Sequence, residues 1–376
     1  MESTIHYQRR QRVASLLVGL GVQALVVNRA VNVTYLTGFT GDSSWLLLLA
    51  DGQAELVSDG RYSEQIAQEC PGLAVSIRPH DRTLVQAVAE ALARARLERV
   101  GVESDEMTLD LFQTLRQALP EITWTPTRGL VEQLRAIKDA DEIAAIRRAI
   151  RCAERAFTAV CAMLRPSDSE RDIVDALEQA VRRVGGTGTA FAPMAAVGPR
   201  SALPHAPPTH QRVAEAGWVL IDWGAKVDGY LSDLTRLVCL PGWNRYPRYT
   251  SATLNIDLAG LYAVVREAQR RAIAAMRPGV PCREIDRIAR QTIADAGLGE
   301  YFTHGLGHSF GLLIHEQPQL RANSDAVLEA GMVLTVEPGV YLPGWGGVRI
   351  EDDVLVTPSG HEILTSLTRD QPILVE

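Results

Sequence analysis

The sequence predicts an α/β domain followed by a larger α+β domain built by approximate internal duplication. Three observations carry this expectation. Over residues 1–125, short apolar runs alternate with stretches of helical period. At "LRAIKDADEIAAIRRAIRCAERAF" the pattern changes to one long amphipathic helix. Beyond it, "RPSDSERDI" (Arg165 to Ile173) matches "RPGVPCREI" (Arg277 to Ile285), with Arg, Pro, Arg and Ile repeating at one constant offset.

The chain opens with an amphipathic helix, "RRQRVASLLVGLG", running into a strand, "ALVVN". Gly19 and Gly21 interrupt the apolar stretch and no small-residue cleavage site comes after it, so it does not read as a signal peptide. "QALVVNR", "SWLLLLAD", "QAELVSD", "LAVSIRP" and "RVGVES" read as strands, while "TLVQAVAEALARARL" and "LDLFQTLRQALP" have helical period. No G-x-G-x-x-G follows a strand, which leaves dinucleotide binding unsupported. "TPTRG" supplies turn residues and marks the boundary, with domains expected at 1–128 and 138–376. Asp139 and Glu142 then form a capping box. Ile143, Ile146, Ala149, Ile150, Ala153 and Phe157 place a stripe on one face of the helix, which Pro166 ends.

Composition excludes some classes. A net charge of -7 argues against a nucleic-acid platform. No apolar run approaches the roughly 18 residues of a membrane span. Five scattered cysteines without a CxxC pair read as free thiols of a cytoplasmic protein. His6, His80, His210 and His361 stand in polar or loop contexts and read as solvated.

The chemistry lies downstream of each repeat. "GWVLIDWGAKVDGYLSDLTRLV" is an apolar strand ending in Asp222, a turn, and a second strand carrying Asp233. "GMVLTVEPGVYLPGWGGVRIEDDVLVT" repeats the design with Glu337 and Glu351. Ionised carboxylates ending apolar strands are costly unless something positive meets them. The segment "HGLGHSFGLLIHE" adds His304, His308 and His315. Its His304-x3-His308 spacing is that of a zinc-peptidase helix, but Gly305 replaces the general-base Glu, and Gly305 and Gly307 disfavour a helix. His308 is therefore read as a single ligand. Asp222, Asp233, His308, Glu337 and Glu351 exceed a tetrahedral zinc set. They suit two divalent ions sharing carboxylates, manganese first, with cobalt or zinc as alternatives.

These residues resemble the pita-bread metallopeptidases: aminopeptidase P, prolidase, methionine aminopeptidase and the metal-free creatinase. The matching pieces are "IDWGAKVDGYLSDLTR", "HGLGHSFGLLIHE", "VEPGVY" and "GVRIED". "VGPRSALPH", ending at His205, is similar to the family's substrate-side histidine segment, and "NVTYLTGFTGDSSWLLLLADGQAELVSDGRYSEQ" to its creatinase/prolidase-type leading domain. The resemblance implies an α/β leading domain and a pita-bread catalytic domain with pseudo-twofold duplication. It implies hydrolysis of N-terminal Xaa-Pro bonds in dipeptides or short peptides by a homodimer. Asp222 would chelate one ion, Asp233 and Glu351 would bridge both, and His308 and Glu337 would hold the other. Glu337 would also handle the water's proton. His205 and His315 would contact the scissile amide or the oxyanion. His304 would stand on the substrate side, and Arg349 would steady a carboxylate or the substrate. A different small amide as substrate, or a non-catalytic binding role, are the alternatives. Trp223, where a small residue is usual, is expected to reshape the pocket floor, and residues 242–256 form a longer loop than usual.

Overall fold

The chain divides into two compact units, Met1–Arg135 and Ala136–Glu376. The computed structural model describes residues 4–375; the outermost positions of the two expected domain spans lie outside the described residues.

The leading unit runs α1 (Thr4–Gly19), β1 (Ala24–Val27), α2 (Ala30–Thr37), β2 (Trp45–Leu49), β3 (Ala54–Asp59), α3 (Ser63–Glu69), β4 (Ala74–Arg78), α4 (Leu84–Ala95), β5 (Arg99–Glu103), α5 (Leu109–Ala118), β6 (Thr123–Thr127) and α6 (Glu132–Ala136). One mixed sheet has the order β4-β3-β2-β1-β5-β6. Every strand expected from the apolar runs is present. The sixth, β6, is hidden in the sequence because "TWTPT" contains Pro126 and reads as a turn. It lies at the sheet edge, where a missing N–H need not interrupt the ladder. Inside this unit, buried Glu103 accepts the backbone N–H groups of Asn28 (2.7 Å) and Arg29 (2.8 Å), and burial pushes its carboxyl up to about 7. His6 is not simply solvated: its ring Nδ1 bonds the Tyr35 carbonyl at 3.2 Å.

The second unit continues with α7 (Ala140–Cys161), α8 (Glu170–Arg183), β7 (Gly188–Thr189), β8 (Met194–Val197), β9 (Trp218–Trp223), β10 (Ala225–Val227), β11 (Tyr230–Leu231), β12 (Leu234–Cys239), β13 (Tyr249–Thr250), β14 (Asn255–Ile256), α9 (Leu258–Ala275), α10 (Cys282–Asp295), β15 (Gly307–Ser309), β16 (Glu316–Leu320), β17 (Val333–Val336), β18 (Gly339–Leu342), β19 (Gly346–Arg349), β20 (Asp352–Thr357), β21 (Gly360–Ile363) and β22 (Ile373–Leu374). The Asp139–Glu142 capping box opens α7 as expected. Two helix pairs, α7–α8 and α9–α10, accompany two sheets ordered β22-β12-β9-β8 and β16-β15-β17-β20-β21.

The duplication is visible in the hydrogen bonds of the matching segments. Ser169 bridges Arg212, and its counterpart Pro281 bridges Val327. One residue on, the Glu170 N–H donates to Gln211 O at 3.0 Å and the Cys282 N–H to Ala326 O at 2.9 Å. The sheets meet where Thr235, on β12 of the first half, bridges Glu351 of the second.

Strand alternation decides what faces where. On β9, Val219, Ile221 and Trp223 pack with Phe157 and Leu177 of α7 and α8. Trp218 and Leu220 point to the other side, against Leu261 and Val265 of α9. Asp222 shares that second parity. This corrects the expectation for Trp223: it is fully buried, stacks on Phe157 with centroids 4.0 Å apart, and donates its indole N–H to Ala153 O. It forms core and not pocket floor. Residues 242–256 carry the short β13–β14 hairpin, and Tyr246 and Tyr249 lie edge-on to Trp345. Among the described residues, no helix is long and apolar enough to cross a membrane. The five cysteines are free thiols, and only Cys161 is not buried.

Candidate metal centre

Four chain segments bring acid groups to one place. Asp222 sits near the end of β9, and Asp233 immediately precedes β12, so the antiparallel pairing of these strands presents both. Glu337 comes directly after β17. The returning segment is broken: β19 pairs with β18, β20 pairs with β17, and Glu351 stands between them. His308 lies on β15, a strand, as the glycines around it require. A Cβ on Gly307 would fall 2.1 Å from the Thr335 carbonyl oxygen, so this strand approaches β17 more closely than any other residue would permit.

All five of these residues line a cavity of about 560 Å³. Ligand atoms of Asp233, His308 and Glu351 all lie within 4.8 Å of one another. His308 Nε2 is 3.6 Å from Asp233 Oδ2 and 3.5 Å from Glu337 Oε1. Those separations exceed a hydrogen bond and match two ligands on a shared ion with bonds of about 2.0–2.2 Å. His308 Nδ1 faces Ser309 O at 3.2 Å, which makes it the donor and leaves the Nε2 lone pair aimed at the carboxylates.

Buried threonines aim the acids. Thr235 Oγ1 donates to Glu351 Oε2 at 2.6 Å, and Thr335 Oγ1 donates to Glu337 Oε1 at 3.3 Å. Arg349, itself buried, donates to Asp222 Oδ2 at 2.5 Å, Thr235 Oγ1 at 3.1 Å and the Tyr341 hydroxyl at 2.9 Å. This series of hydrogen bonds ends at His304. Its Nδ1 donates to Gly305 O at 2.7 Å, so Nε2 accepts from the Tyr341 hydroxyl at 2.8 Å. Both ring nitrogens of His304 are thereby engaged. His315 and His205 are exposed at the cavity, the His315 ring 4.5 Å from that of His308.

The electrostatics state what the site needs. Burial, then repulsion from Glu351, Asp222 and Glu337, raises Asp233 well above the carboxylate range. Burial raises Glu351 likewise, and raises Glu337 to about 8. Asp222 is raised by burial despite Arg349, and its Oδ1 is buried with no hydrogen-bond partner. Burial holds His308 and His304 down at about 4. Four crowded acids that resist ionisation, one unpartnered oxygen and a neutral imidazole make a donor set that fits divalent cations.

Sequence reasoning missed the residues behind this set. Thr235 and Tyr341 lie inside the matching pieces "IDWGAKVDGYLSDLTR" and "VEPGVY" with no role of their own, and Thr335 lies outside them, although both threonines stand two residues from a candidate ligand. Lys138 is also new: buried, it donates to Ser309 Oγ at 2.7 Å and pairs with Glu316 at 3.5 Å. Arg321, exposed on the cavity lining, has no ion-pair partner among the described residues. His361, expected to be solvated, instead bonds Met276 O through Nδ1.

Comparison with known proteins agrees with this architecture. Residues 144–358 match metallopeptidase family M24, and residues 9–137 match the creatinase/prolidase N-terminal domain. An uncharacterised peptidase of Bacillus subtilis, YqhT, is 34% identical over 97% of this chain and 99% of its own length. The solved structure of an Xaa-Pro dipeptidase from Bacillus anthracis superposes with a TM-score of 0.90 at 34% identity, covering 98% of this chain and 100% of that one. The X-Pro aminopeptidase from Thermotoga maritima gives 0.83 at 32% identity, covering 94% and 98%. A leading domain of creatinase type, a duplicated α+β unit and an acid-rich site at its seam therefore identify the chain as a member of metallopeptidase family M24, a divalent-metal-dependent metallo-exopeptidase.

Proposed function

We propose that this chain hydrolyses the N-terminal Xaa-Pro bond of dipeptides and short peptides, using two divalent ions, manganese foremost, as a cytoplasmic homodimer whose catalytic domain spans 138–376. The observation that carries the reading is the donor set of four carboxylates and one imidazole converging on a single cavity. Five mostly oxygen ligands suit a pair of hard cations better than one tetrahedral zinc. The likeness to an Xaa-Pro dipeptidase and an X-Pro aminopeptidase supports the proline preference.

Asp222, Asp233 and Glu351 would hold one ion, and Asp233, Glu351, His308 and Glu337 the other. Bound there, divalent ions would supply Lewis acidity to the scissile carbonyl and to the attacking water. Glu337 takes the proton of the attacking water. His315 donates toward the developing oxyanion, and His205 supports the departing proline nitrogen. Arg349, braced through Tyr341 and His304, fixes Asp222. Arg321 offers its charge to the free carboxylate of a dipeptide, which favours short substrates.

The test adds Mn or Co to chelated protein and offers Ala-Pro, Ala-Pro-Ala and Ala-Ala-Ala. Metal-dependent cleavage of the proline peptides alone is expected. Cleavage of neither proline peptide would sink the reading, and cleavage of the dipeptide alone would select a dipeptidase.

A further inference from the structure

The repeated segment "RPSDSERDI" contributes no ligand, yet its Glu170 is a fully buried carboxylate with an unusual set of partners. Glu170 Oε1 accepts the Val197 N–H at 2.8 Å. Its Oε2 accepts the Thr209 N–H at 2.7 Å and the Thr209 hydroxyl at 2.7 Å. Arg200 Nε donates to both oxygens, at 2.9 and 3.0 Å. Val197 and Thr209 are the two ends of the loop that carries His205. One carboxylate thus closes that loop at its base. Arg200 closes it again higher up, because its Nη2 donates to the Pro207 carbonyl at 2.5 Å.

His205 itself makes no hydrogen bond among the described residues, so its loop alone places it. The 198–204 arm has other ties: Gly347 N–H to Ser201 Oγ at 2.7 Å, and Arg349 to Pro204 O at 3.4 Å. The arm from His205 to Thr209 depends on Arg200, Glu170 and the first turn of α8, where the Arg171 N–H meets Thr209 O at 3.2 Å. The second half repeats the device one helical turn further along its matching helix. Asp286 on α10 pairs with Arg290 and accepts the Leu306 N–H at 3.1 Å. Arg290 donates to Phe302 O at 2.9 Å and His304 O at 2.8 Å. Each half therefore fastens its histidine-bearing segment to its second helix through a buried carboxylate and an arginine.

We infer that Glu170 and Arg200 are positioning residues for His205: they staple the loop so that the imidazole stands at the cavity without a contact of its own. The inference rests on the substrate-side reading of His205. Gln at position 170 has one acceptor oxygen where two backbone N–H groups at opposite loop ends each need one, so E170Q opens the staple at nearly constant volume. A misplacement of about 1 Å costs about 10²-fold in rate.

The experiment compares E170Q, R200A, H205A and the doubles E170Q/H205A and R200A/H205A in the full chain. Three quantities are read: kcat on Ala-Pro, Mn affinity, and hydrogen–deuterium exchange of metal-free protein. For E170Q, kcat is expected to fall about 10²-fold and Mn affinity to stay within about threefold. Exchange should accelerate at Val197 and Thr209 but not at Leu306. Each double should lose less than about threefold beyond H205A, because the staple acts only through that ring. R200A, altering a partly exposed side chain, keeps the test open should E170Q fold poorly. Multiplicative losses in the doubles, or normal kcat in both single variants with H205A impaired, would overturn the staple alone. Full activity in H205A would overturn the staple together with the assignment of His205.

Discussion

Stripping the cations from this site should make the second unit lose stability as pH rises from 6.5 to 8. Glu337 is held near 8, against an ordinary 4.5, chiefly by burial. Below pH 4.5 its carboxyl is protonated in folded and unfolded chains alike. Above 4.5 the unfolded chain ionises first, so stability drains away until pH reaches the folded value of about 8. Burial moves Asp233 and Glu351 in the same direction. The histidines act oppositely: His304 and His308, held near 4, cost stability only as pH falls below 6.5. Between 6.5 and 8 the acids act without them. Over that window Glu337 alone accounts for about 2 kcal/mol, at about 1.4 kcal/mol per pH unit. For a unit of this size that is a fall of about 4–8 °C in Tm. Bound cations favour the ionised acids and should flatten the profile. The measurement is calorimetric unfolding of EDTA-treated and Mn-loaded protein at half-unit steps, read as the difference between them. Glu103, raised to about 7 in the leading unit, is common to both samples and cancels. A difference that stays level or shrinks with rising pH would refute the electrostatic account of the site.

The geometry sets three further outcomes. Asp233→Ala should abolish Mn binding and turnover while the leading unit keeps its own unfolding transition; near-normal activity with bound metal would count against the ligand set. His315→Ala should lower kcat by about 10²–10³ with Mn affinity unchanged in isothermal titration, as expected for a lost oxyanion donor. Trp223→Ala should cost about 3–5 kcal/mol in denaturant unfolding, with KM for Ala-Pro nearly unchanged, since the ring packs on Phe157 and away from the cavity; a large KM change would return it to the pocket.

A sequence makes legible whatever leaves a local trace. Asp222 and Glu337 end apolar strands, and that burial cost can be read from a single line of residues. The capping box at Asp139 is legible because its geometry is confined to one helical turn. Trp223 is misjudged as pocket floor although the information is present: adjacent residues on a strand face opposite ways, so a neighbour of Asp222 belongs to the core. The edge strand β6 is lost to Pro126, because no local signal separates a proline in a turn from one at a sheet margin. Thr235, Thr335, Tyr341 and Lys138 lie out of reach for another reason. Thr235, Tyr341 and Lys138 meet partners a long stretch of chain or a strand turn away, and Thr335, although two residues from Glu337, depends on tertiary packing to turn its hydroxyl to that carboxylate.

The bridge from Thr235 to Glu351 joins the two halves of the catalytic unit at the spot where the acids gather. Asp233 belongs to one half, His308 and Glu351 to the other. The candidate donor set is therefore split between the halves, Asp222 and Asp233 from one and His308, Glu337 and Glu351 from the other, so the full set exists only where the two halves meet. The seam, more than the fold of either half, carries the site.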